Sequence, residues 1–198
     1  MPIRPLSVDD HAGAAAALAT AFHADPMMVH LAPSDTRRAR MLPPYFRSVL
    51  RQATAGVPLV TDGDAGAVAG CAIAMPPGTY PLPLLPQLKE WRTILTSGVR
   101  ATVRHFVEIP PIERLHPNEP FWYLMYLGVD PTAQGSGHGR RLVRAVTDEA
   151  DRDGVSTYLV TMKEANLGFY AGAGFELRDT ARMGRHGPAT WTMLRPPS

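Results

Sequence analysis

Seven residues near the middle of the chain, Gln134 to Arg140, have the composition of an anion-binding loop. The run reads Q-G-S-G-H-G-R. It follows the apolar, aromatic and β-branched stretch 121–129, which predicts a buried strand, and it precedes 141–153, whose apolar residues recur at helical spacing. A loop in this position points unpaired backbone N–H groups and the positive end of the helix dipole at its occupant. The spacing therefore predicts binding of a phosphate or pyrophosphate.

Two common phosphate-binding loops do not fit this run. A P-loop requires G-x-x-x-x-G-K-[ST], and neither lysine of the chain, Lys89 or Lys163, lies in the loop. A dinucleotide-binding loop requires G-x-G-x-x-G, and its third glycine would fall on Arg140. The side chain of Arg140 would obstruct close packing of the helix on the strand, so a Rossmann-type nucleotide site is a distant alternative.

The loop instead resembles the acetyl-CoA loop of the Gcn5-related N-acetyltransferases, written [RQ]-x-x-G-x-[GA]. Gln134, Gly137 and Gly139 stand at its defining positions. The resemblance continues on both sides of the loop and covers about residues 117–195. Before it runs L-G-V-D-P, at 127–131, and after it come an Asn-x-x-x-Tyr pair and a Gly-Phe pair, at 166–170 and 174–175.

The resemblance implies acetyl-CoA as acyl donor, and it assigns the residues that hold it. The backbones of Leu127 and Val129 would bond the pantetheine arm, as an added strand would. The cofactor-binding residues of the loop would be Gln134, Gly135, Gly137, His138, Gly139 and Arg140. Asn166 would bond the pantetheine arm or its helix. Arg140 could equally contact a phosphate or lie on the solvated surface of the helix. We expect the His138 side chain to face solvent. Gly128 is expected to mark a bulge where the strands separate.

The resemblance also implies two catalytic roles. Tyr170 would protonate the departing thiolate, because it shares a helix face with Asn166 and a phenol can act as a general acid. The second role is that of a general base, and the strand 121–129 contains no carboxylate to fill it. We name Glu119, just before that strand, as the candidate base. Glu108, Glu113 and His116 are further candidates, and an amine of low pKa would need no dedicated base.

Composition predicts one globular domain, residues 1–198, in the cytoplasm. The net charge is +2 without a basic run, so no nucleic-acid partner is predicted. No stretch approaches 18 apolar residues and no signal peptide is recognisable, so no membrane partner is predicted either. Cys71 is the only cysteine; it fits a reducing compartment and a buried position. We predict no metal site.

The predicted fold is α/β with a central mixed, mostly antiparallel twisted sheet of six to seven strands flanked by helices. A first helix is expected after Ser7 as N-cap, and Pro26 is expected to stop it. A second helix is expected from about 35 to 53, kinked or broken at Pro43-Pro44. Residues 76–116 form an insertion of a proline-rich loop and an amphipathic helix. It would be an extra helix packed on the domain, and also the wall or lid of the acceptor site, although its apolar stripe could equally serve a homodimer.

The leading functional hypothesis is acetyl transfer from acetyl-CoA to a small-molecule amine. The stretches 116–124 and 187–193 are similar to those of puromycin N-acetyltransferase and its relatives, which favours acceptors of that size. The first alternative is a protein or peptide N-acetyltransferase. The second is a non-catalytic acyl-CoA sensor on the same fold, which the missing strand carboxylate leaves open.

Overall fold

A computed structural model describes residues 2–63, 66–80 and 107–198 of the chain. The strands in these ranges are β1 (Ile3–Pro5), β2 (Val57–Asp62), β3 (Val68–Met75), β4 (Phe121–Val129), β5 (Ser156–Thr161), β6 (Glu176–Arg182) and β7 (Ala189–Arg195). The helices are α1 (His11–Ala21), α2 (Pro26–Leu31), α3 (Asp35–Gln52), α4 (Pro110–Glu113), α5 (His138–Asp153) and α6 (Leu167–Ala171). Short 3-10 helices cover Pro131–Ala133 and Glu164–Asn166.

The seven strands form one sheet in the order β1-β2-β3-β4-β5-β7-β6. Every neighbouring pair is antiparallel except β4 and β5, which are parallel and are connected through α5. A parallel pair needs such a crossover, whereas antiparallel neighbours can follow one another through a turn. The predicted fold class, a mixed and mostly antiparallel sheet flanked by helices, is confirmed.

Helices cover both faces of the sheet and bury two hydrophobic cores. On one face α1 and α3 pack against the sheet through Leu18, Leu42, Phe46, Val60 and Ile73. On the other face α5 packs against it through Leu142, Val143 and Val146, which meet Leu124 and Leu159. Burial of one such side chain stabilises the fold by about 1.5–3 kcal/mol. The two cores hold β4 from both sides.

The N-terminal helices begin differently from the sequence prediction. Asp10, not Ser7, occupies the N-cap position of α1, and its carboxylate accepts hydrogen bonds from Arg4 and from the Ser7 backbone and hydroxyl instead of capping the helix. Pro26 does not simply stop α1, which has already ended at Ala21; it is the first residue of α2. Proline suits that position because its missing N–H has no partner in the first turn.

The helix α3 continues through Pro43 and Pro44 without interruption. Each proline removes one backbone hydrogen bond and should weaken the helix. The buried face of α3 nevertheless carries Leu42, Phe46 and Leu50, all within the core on the α1 side. Tertiary packing therefore outweighs the local cost, and the predicted break does not occur.

The strand β4 contains one extra residue, Met125, relative to β3. Ile73 of β3 pairs with Tyr126, whereas Ala74 pairs with Leu124, so Met125 has no partner on β3. Such a bulge shifts the alternation of side chains between the two faces. Accordingly, Met125 and Tyr126 both pack against the core on the α1 and α3 side.

The prediction that Gly128 marks the bulge is wrong. Gly128 pairs regularly with Cys71 of β3. A Cβ atom on Gly128 would lie 2.9 Å from Leu18 Cδ2 and 3.0 Å from Ala21 Cβ. The glycine is needed because α1 approaches the strand closely at this point, not because the strand changes direction there.

Most of the predicted lid lies outside the described residues. Its beginning, up to Tyr80, and its end, from Val107, are described, and the latter includes α4. Across 2–63, 66–80 and 107–198, none of the helices combines the length and the apolar content needed to cross a membrane. Cys71 is buried, as expected.

Candidate active site

The parallel strands β4 and β5 separate halfway along their length. They pair from Phe121 opposite Ser156 to Leu124 opposite Leu159. Beyond Leu124, β4 continues beside β3 to Val129 and no longer pairs with β5. A gap therefore opens between the carboxyl-terminal halves of the two strands, and it begins at the bulge.

Backbone groups of Leu127 and Val129 face this gap. The Asp130 N–H donates to the Ala69 carbonyl on β3, 2.8 Å away. Because alternate residues of a strand direct their backbone groups to opposite neighbours, Leu127 and Val129 point away from β3. The Val129 carbonyl accepts a hydrogen bond from Gln134 Nε2 at 3.1 Å. These are the strand residues that the sequence resemblance assigned to the pantetheine arm.

Gln134 anchors the loop to the strand. Besides the side-chain bond to Val129, its backbone N–H donates to the Pro131 carbonyl at 3.4 Å. Both of these groups are therefore engaged within the protein. The loop groups available to bind an anion are therefore those after Gln134, from Gly135 onwards.

Two glycines shape the loop before α5. Gly135 and Gly137 have φ angles of +82° and +79°, a region that side-chain-bearing residues rarely adopt. The helix starts at His138, so the N–H groups of His138, Gly139 and Arg140 have no acceptor within it. Together with the helix dipole they form a site for an anion.

Gly139 is less constrained than the loop motif suggests. Its φ lies outside the left-handed region. A Cβ atom there would lie 3.4 Å from Phe169 Cζ and 3.7 Å from Val129 Cγ2, which is ordinary van der Waals contact. Arg140 is exposed in the first turn of α5, where its charge adds to the positive end of the helix.

The expectation that His138 faces solvent is wrong. Its side chain is buried, and Nδ1 lies 2.9 Å from the Thr61 hydroxyl on β2. Arg141 Nη2 lies 3.2 Å from the same nitrogen, and Arg141 Nη1 donates to the Ser136 carbonyl at 3.4 Å. His138 therefore packs the start of α5 onto the sheet, and only its backbone N–H can face an occupant of the loop.

Asn166 and Tyr170 lie beyond the end of β5, on the other side of the gap. Asn166 Nδ2 donates to the Thr161 hydroxyl at 3.3 Å. Tyr170 is 8% exposed, and its ring packs against Phe169 and Phe175 at centroid distances of 5.0 and 5.8 Å. Burial raises the pKa of the Tyr170 phenol, so the group is protonated at neutral pH.

The charge of one carboxylate that the sequence analysis missed, that of Asp25, acts on Tyr170. Asp25 is the N-cap of α2, and its Oδ1 accepts hydrogen bonds from the N–H groups of Met27 at 2.9 Å and Met28 at 3.4 Å. Burial raises the pKa of Asp25, and its negative charge contributes to the raised pKa of Tyr170. An aspartate before a proline signals a helix start, which could have been recognised, but nothing in the sequence signals a site.

Glu119 does not come near the gap. It is exposed and lies two residues before β4. At about 3.3 Å per residue, the first residue of β4 is about 20 Å from Leu127 along the strand. The structure therefore places Glu119 before the amino-terminal end of β4, whereas the gap lies at the carboxyl-terminal end, and this distance argues against Glu119 as the base.

The other sequence-based candidates for the base have structural partners. Glu108 lies within hydrogen-bond distance of His30 on α2, with 2.7 Å between Oε2 and Nε2. Glu113 accepts a hydrogen bond from the Tyr80 hydroxyl at 2.5 Å. His116 packs within a cluster of aromatic rings, and burial lowers its pKa.

Three comparisons with known proteins bear on the site. An N-acetyltransferase of uncharacterised function from Schizosaccharomyces pombe is 26% identical over 196 residues, covering 88% of this chain and 74% of the relative. The N-alpha-acetyltransferase RimI of Mycobacterium tuberculosis is 41% identical over 66 residues, covering 33% of this chain and 42% of RimI. A solved structure from Corynebacterium glutamicum, of histone acetyltransferase HPA2 and related acetyltransferase, has a TM-score of 0.75 at 22% identity over 99% of this chain and 96% of that one.

The family model of the acetyltransferase (GNAT) family matches residues 26–175. The matched range contains both strands that border the gap, the glycine loop, Asn166 and Tyr170. The match spans well over half of the chain, and the structural neighbour has the same fold over nearly all of it. The chain therefore belongs to the GNAT family of acetyltransferases and is an acyltransferase.

Proposed function

We propose that this enzyme transfers the acetyl group of acetyl-CoA to the amine of a small molecule. The single observation that carries the proposal is the gap between β4 and β5, which has the glycine loop on one side and Tyr170 on the other. The strand edge, the anion site and the buried phenol match three parts of acetyl-CoA. These are, respectively, the amide-bearing pantetheine arm, the pyrophosphate and the thioester sulfur.

The residues that would hold acetyl-CoA fit the chemistry of that molecule. The backbone groups of Leu127 and Val129 lie along an unpaired strand edge and can bond the amides of the pantetheine arm. The N–H groups of His138, Gly139 and Arg140 can bond the pyrophosphate. When bound, acetyl-CoA supplies an acetyl group activated as a thioester.

Asn166 and Tyr170 would complete the donor site. The Asn166 amide, already bonded to Thr161, lies four residues before Tyr170 and can orient the pantetheine arm. The Tyr170 phenol is held protonated by its surroundings and can give its proton to the departing sulfur. A leaving thiolate with a proton donor beside it departs more readily than one without.

A contact between α2 and the β6–β7 turn supports a small acceptor. Trp191 of β7 pairs with Thr161, the last residue of β5, so the turn at 183–188 extends beyond the end of β5 where Tyr170 lies. A Cβ atom on Gly187 of this turn would be 3.2 Å from His30 Nε2 on α2. The space between α2 and the turn is therefore narrow.

Glu108 further narrows the space between α2 and the turn. Its carboxylate pairs with His30 at 2.7 Å, and its side chain packs on the turn, where a Cβ atom on Gly184 would lie 2.6 Å from Glu108 Cδ. An extended peptide needs an open groove along its length, whereas a small amine does not. The three-way contact of His30, Glu108 and the glycine turn therefore favours the small acceptor.

The similarity to RimI favours a second candidate, acetylation of a protein or peptide N-terminus. A panel experiment separates the two. The enzyme is given acetyl-CoA together with one acceptor at a time, and release of the CoA thiol is measured. The acceptors are small primary amines and short peptides with free N-termini. Our proposal expects turnover of small amines with a kcat/KM at least tenfold above that of any peptide. Turnover of peptides alone would replace it by the second candidate.

A further inference from the structure

The side chain of Arg141 turns back from the start of α5 towards the glycine loop. Its Nη1 donates a hydrogen bond to the Ser136 carbonyl at 3.4 Å, and its Nη2 lies 3.2 Å from Nδ1 of His138. A Cβ atom on Gly137 would lie 3.5 Å from Nη1. Helical side chains lean towards the amino-terminal end of their helix, which explains this direction. The guanidinium therefore lies against the loop, beside the backbone groups that precede the helix.

His138 accepts the hydrogen bond from Arg141. A guanidinium has only donors, so Nδ1 of His138 must be the acceptor and carries no proton. The Thr61 hydroxyl on β2, which is 2.9 Å from the same nitrogen, then also donates to it. The imidazole is therefore neutral, and it holds the guanidinium in place without neutralising its charge.

The charge of Arg141 has no counter-ion in the described part of the chain. Its partners there are a carbonyl oxygen and a neutral imidazole. Other arginines that are mostly buried pair with carboxylates, as Arg38 does with Asp35 at 2.6 Å and Arg195 does with Asp151 at 2.7 Å. The positive charge of Arg141 is therefore left to attract an anion at the loop.

One N–H group of this guanidinium has no acceptor. Nε of Arg141 is buried from solvent and makes no hydrogen bond within the described residues. A buried donor without an acceptor costs free energy, and such a group in a folded protein calls for an explanation. The two bonds that the guanidinium does make, at 3.4 and 3.2 Å, are long, so they contribute little to stability. Arg141 is thus placed at a cost to the fold, beside a loop whose N–H groups can bind an anion.

We propose that Arg141 supplies the side-chain charge that holds the pyrophosphate of acetyl-CoA at the glycine loop. This inference rests on the proposed function, and it gives Arg141 the phosphate role that the sequence resemblance offered to Arg140. Arg140 is exposed, so its charge is screened by water and salt, whereas Arg141 is half-buried and its charge is screened less.

Arg141 acts on the loop in two ways. Its bond to the Ser136 carbonyl occupies an oxygen that would otherwise repel a phosphate. Its charge adds to the helix dipole and to the free N–H groups at the start of α5. Hydrogen bonds between arginine and phosphate are charge-assisted and stronger than those of neutral donors. A thioester of pantetheine without the pyrophosphate would gain nothing from Arg141, so this residue favours CoA thioesters as donors.

The variant Arg141→Gln removes the charge and keeps an amide donor. We expect its calorimetric Kd for CoA to rise by about tenfold or more, which is the range for hydrogen bonds to charged groups. Its urea unfolding midpoint without ligand should stay at the wild-type value, because the lost bonds are long and the unpaired Nε is removed with them. Arg141→Lys keeps the charge and should lose clearly less affinity than Arg141→Gln.

Arg144→Gln is the matched control. Arg144 lies about one turn later on α5, its side chain is 82% exposed, and its Nε lies 3.8 Å from Asp148 Oδ2. The variant removes the same charge from the same helix, and its affinity for CoA should stay within about twofold of the wild type. Dephospho-CoA, which keeps the pyrophosphate but lacks the phosphate on the ribose, is the second ligand. Arg141→Gln should lose affinity for it by the same factor as for CoA.

These measurements separate the charge from a structural role. Weaker binding of both ligands by Arg141→Gln at an unchanged urea midpoint, with partial recovery in Arg141→Lys, supports the inference. It is overturned by wild-type affinity in Arg141→Gln, by a lowered midpoint that accompanies the affinity loss, or by an equal loss in Arg144→Gln or Arg141→Lys. Retained affinity for dephospho-CoA would assign Arg141 to the ribose phosphate and overturns it too. If the wild type binds no CoA, the proposed donor has failed instead, which the wild-type titration alone reveals.

Discussion

Leu124 and Leu159 are the last residues that pair β4 with β5. Immediately after Leu124, the extra residue Met125 shifts the strand, and the two strands separate. The bulge lies on the side of β4 that faces β3, and the gap lies on the side that faces β5. The single extra residue, Met125, therefore alters both edges of the strand. Strand geometry at this point, rather than any single side chain, opens the gap in which we propose that the donor binds.

Two glycines of the loop should respond differently to alanine. Gly137→Ala places a side chain at a φ of +79°, which costs about 1–2 kcal/mol, and it should also weaken acetyl-CoA binding. Gly139→Ala makes only ordinary contacts with Phe169, and alanine is the better helix former, so stability should be kept or raised by up to about 1 kcal/mol. Urea unfolding and calorimetry of both variants check this. Equal losses in the two variants would contradict it.

Removing the hydroxyl of Tyr170 should impair the chemical step. Tyr170→Phe removes the proton donor, and we expect kcat to fall by about 10²-fold, with acetyl-CoA affinity unchanged. Tyr158→Phe is the matched control, since Tyr158 is fully buried and its hydroxyl lies near Thr192 without reaching hydrogen-bond geometry. That variant should keep its activity and its stability. Steady-state kinetics that left Tyr170→Phe at the wild-type kcat would remove the catalytic role.

Gly128→Ala should destabilise the fold without a specific effect on chemistry. The added Cβ would lie 2.9 Å from Leu18 Cδ2, so α1 or the strand must move. Overpacking of this kind costs about 1–3 kcal/mol. Gly168→Ala is the matched substitution. A Cβ atom on Gly168 would have no atom within 4 Å, so this variant should be tolerated. Thermal unfolding compares the two, and equal melting temperatures would be inconsistent with the close approach of α1.

The protein should lose stability in acid through Asp151 and Asp10. Arg195 donates hydrogen bonds to both Asp151 oxygens at 2.7 and 2.9 Å, and these bonds lower the Asp151 pKa. Hydrogen bonds from Arg4 lower the pKa of Asp10 in the same way. Because both folded pKa values lie below the unfolded value of about 3.9, this stability is present above pH 4 and is lost as pH falls below it. Urea titrations from pH 7 to 3 measure the loss. Asp151→Asn should show a shallower decline; an unchanged slope would exclude the Asp151 contribution.

The elements of the fold were largely predictable because their patterns are local. The apolar run of β4 and the helical spacing after residue 141 each depend on near neighbours in sequence. The failures arose where distant packing decides. The helix α3 survives two prolines because its other face is buried, and Gly128 is required by α1, more than 100 residues earlier in the chain.

The candidate site was predictable only in part, for the same reason. The glycine loop before α5 follows from the local pattern, and so does the short helix that carries Asn166 at its start and Tyr170 within it. The burial of His138 depends on Thr61, and the effect of the Asp25 charge on the Tyr170 pKa joins two residues that are far apart in sequence. Neither relationship leaves a signal in the sequence near the residue concerned.

Calorimetric titration of the purified protein with acetyl-CoA tests the central claim most directly. We predict saturable binding at one site per chain by the wild type, and weaker binding by Gly137→Ala, because the loop and the gap together hold the donor. Binding that is the same in both proteins would place the donor elsewhere. Absence of binding to the wild type would contradict the account, since the gap between β4 and β5 would then hold no acetyl-CoA.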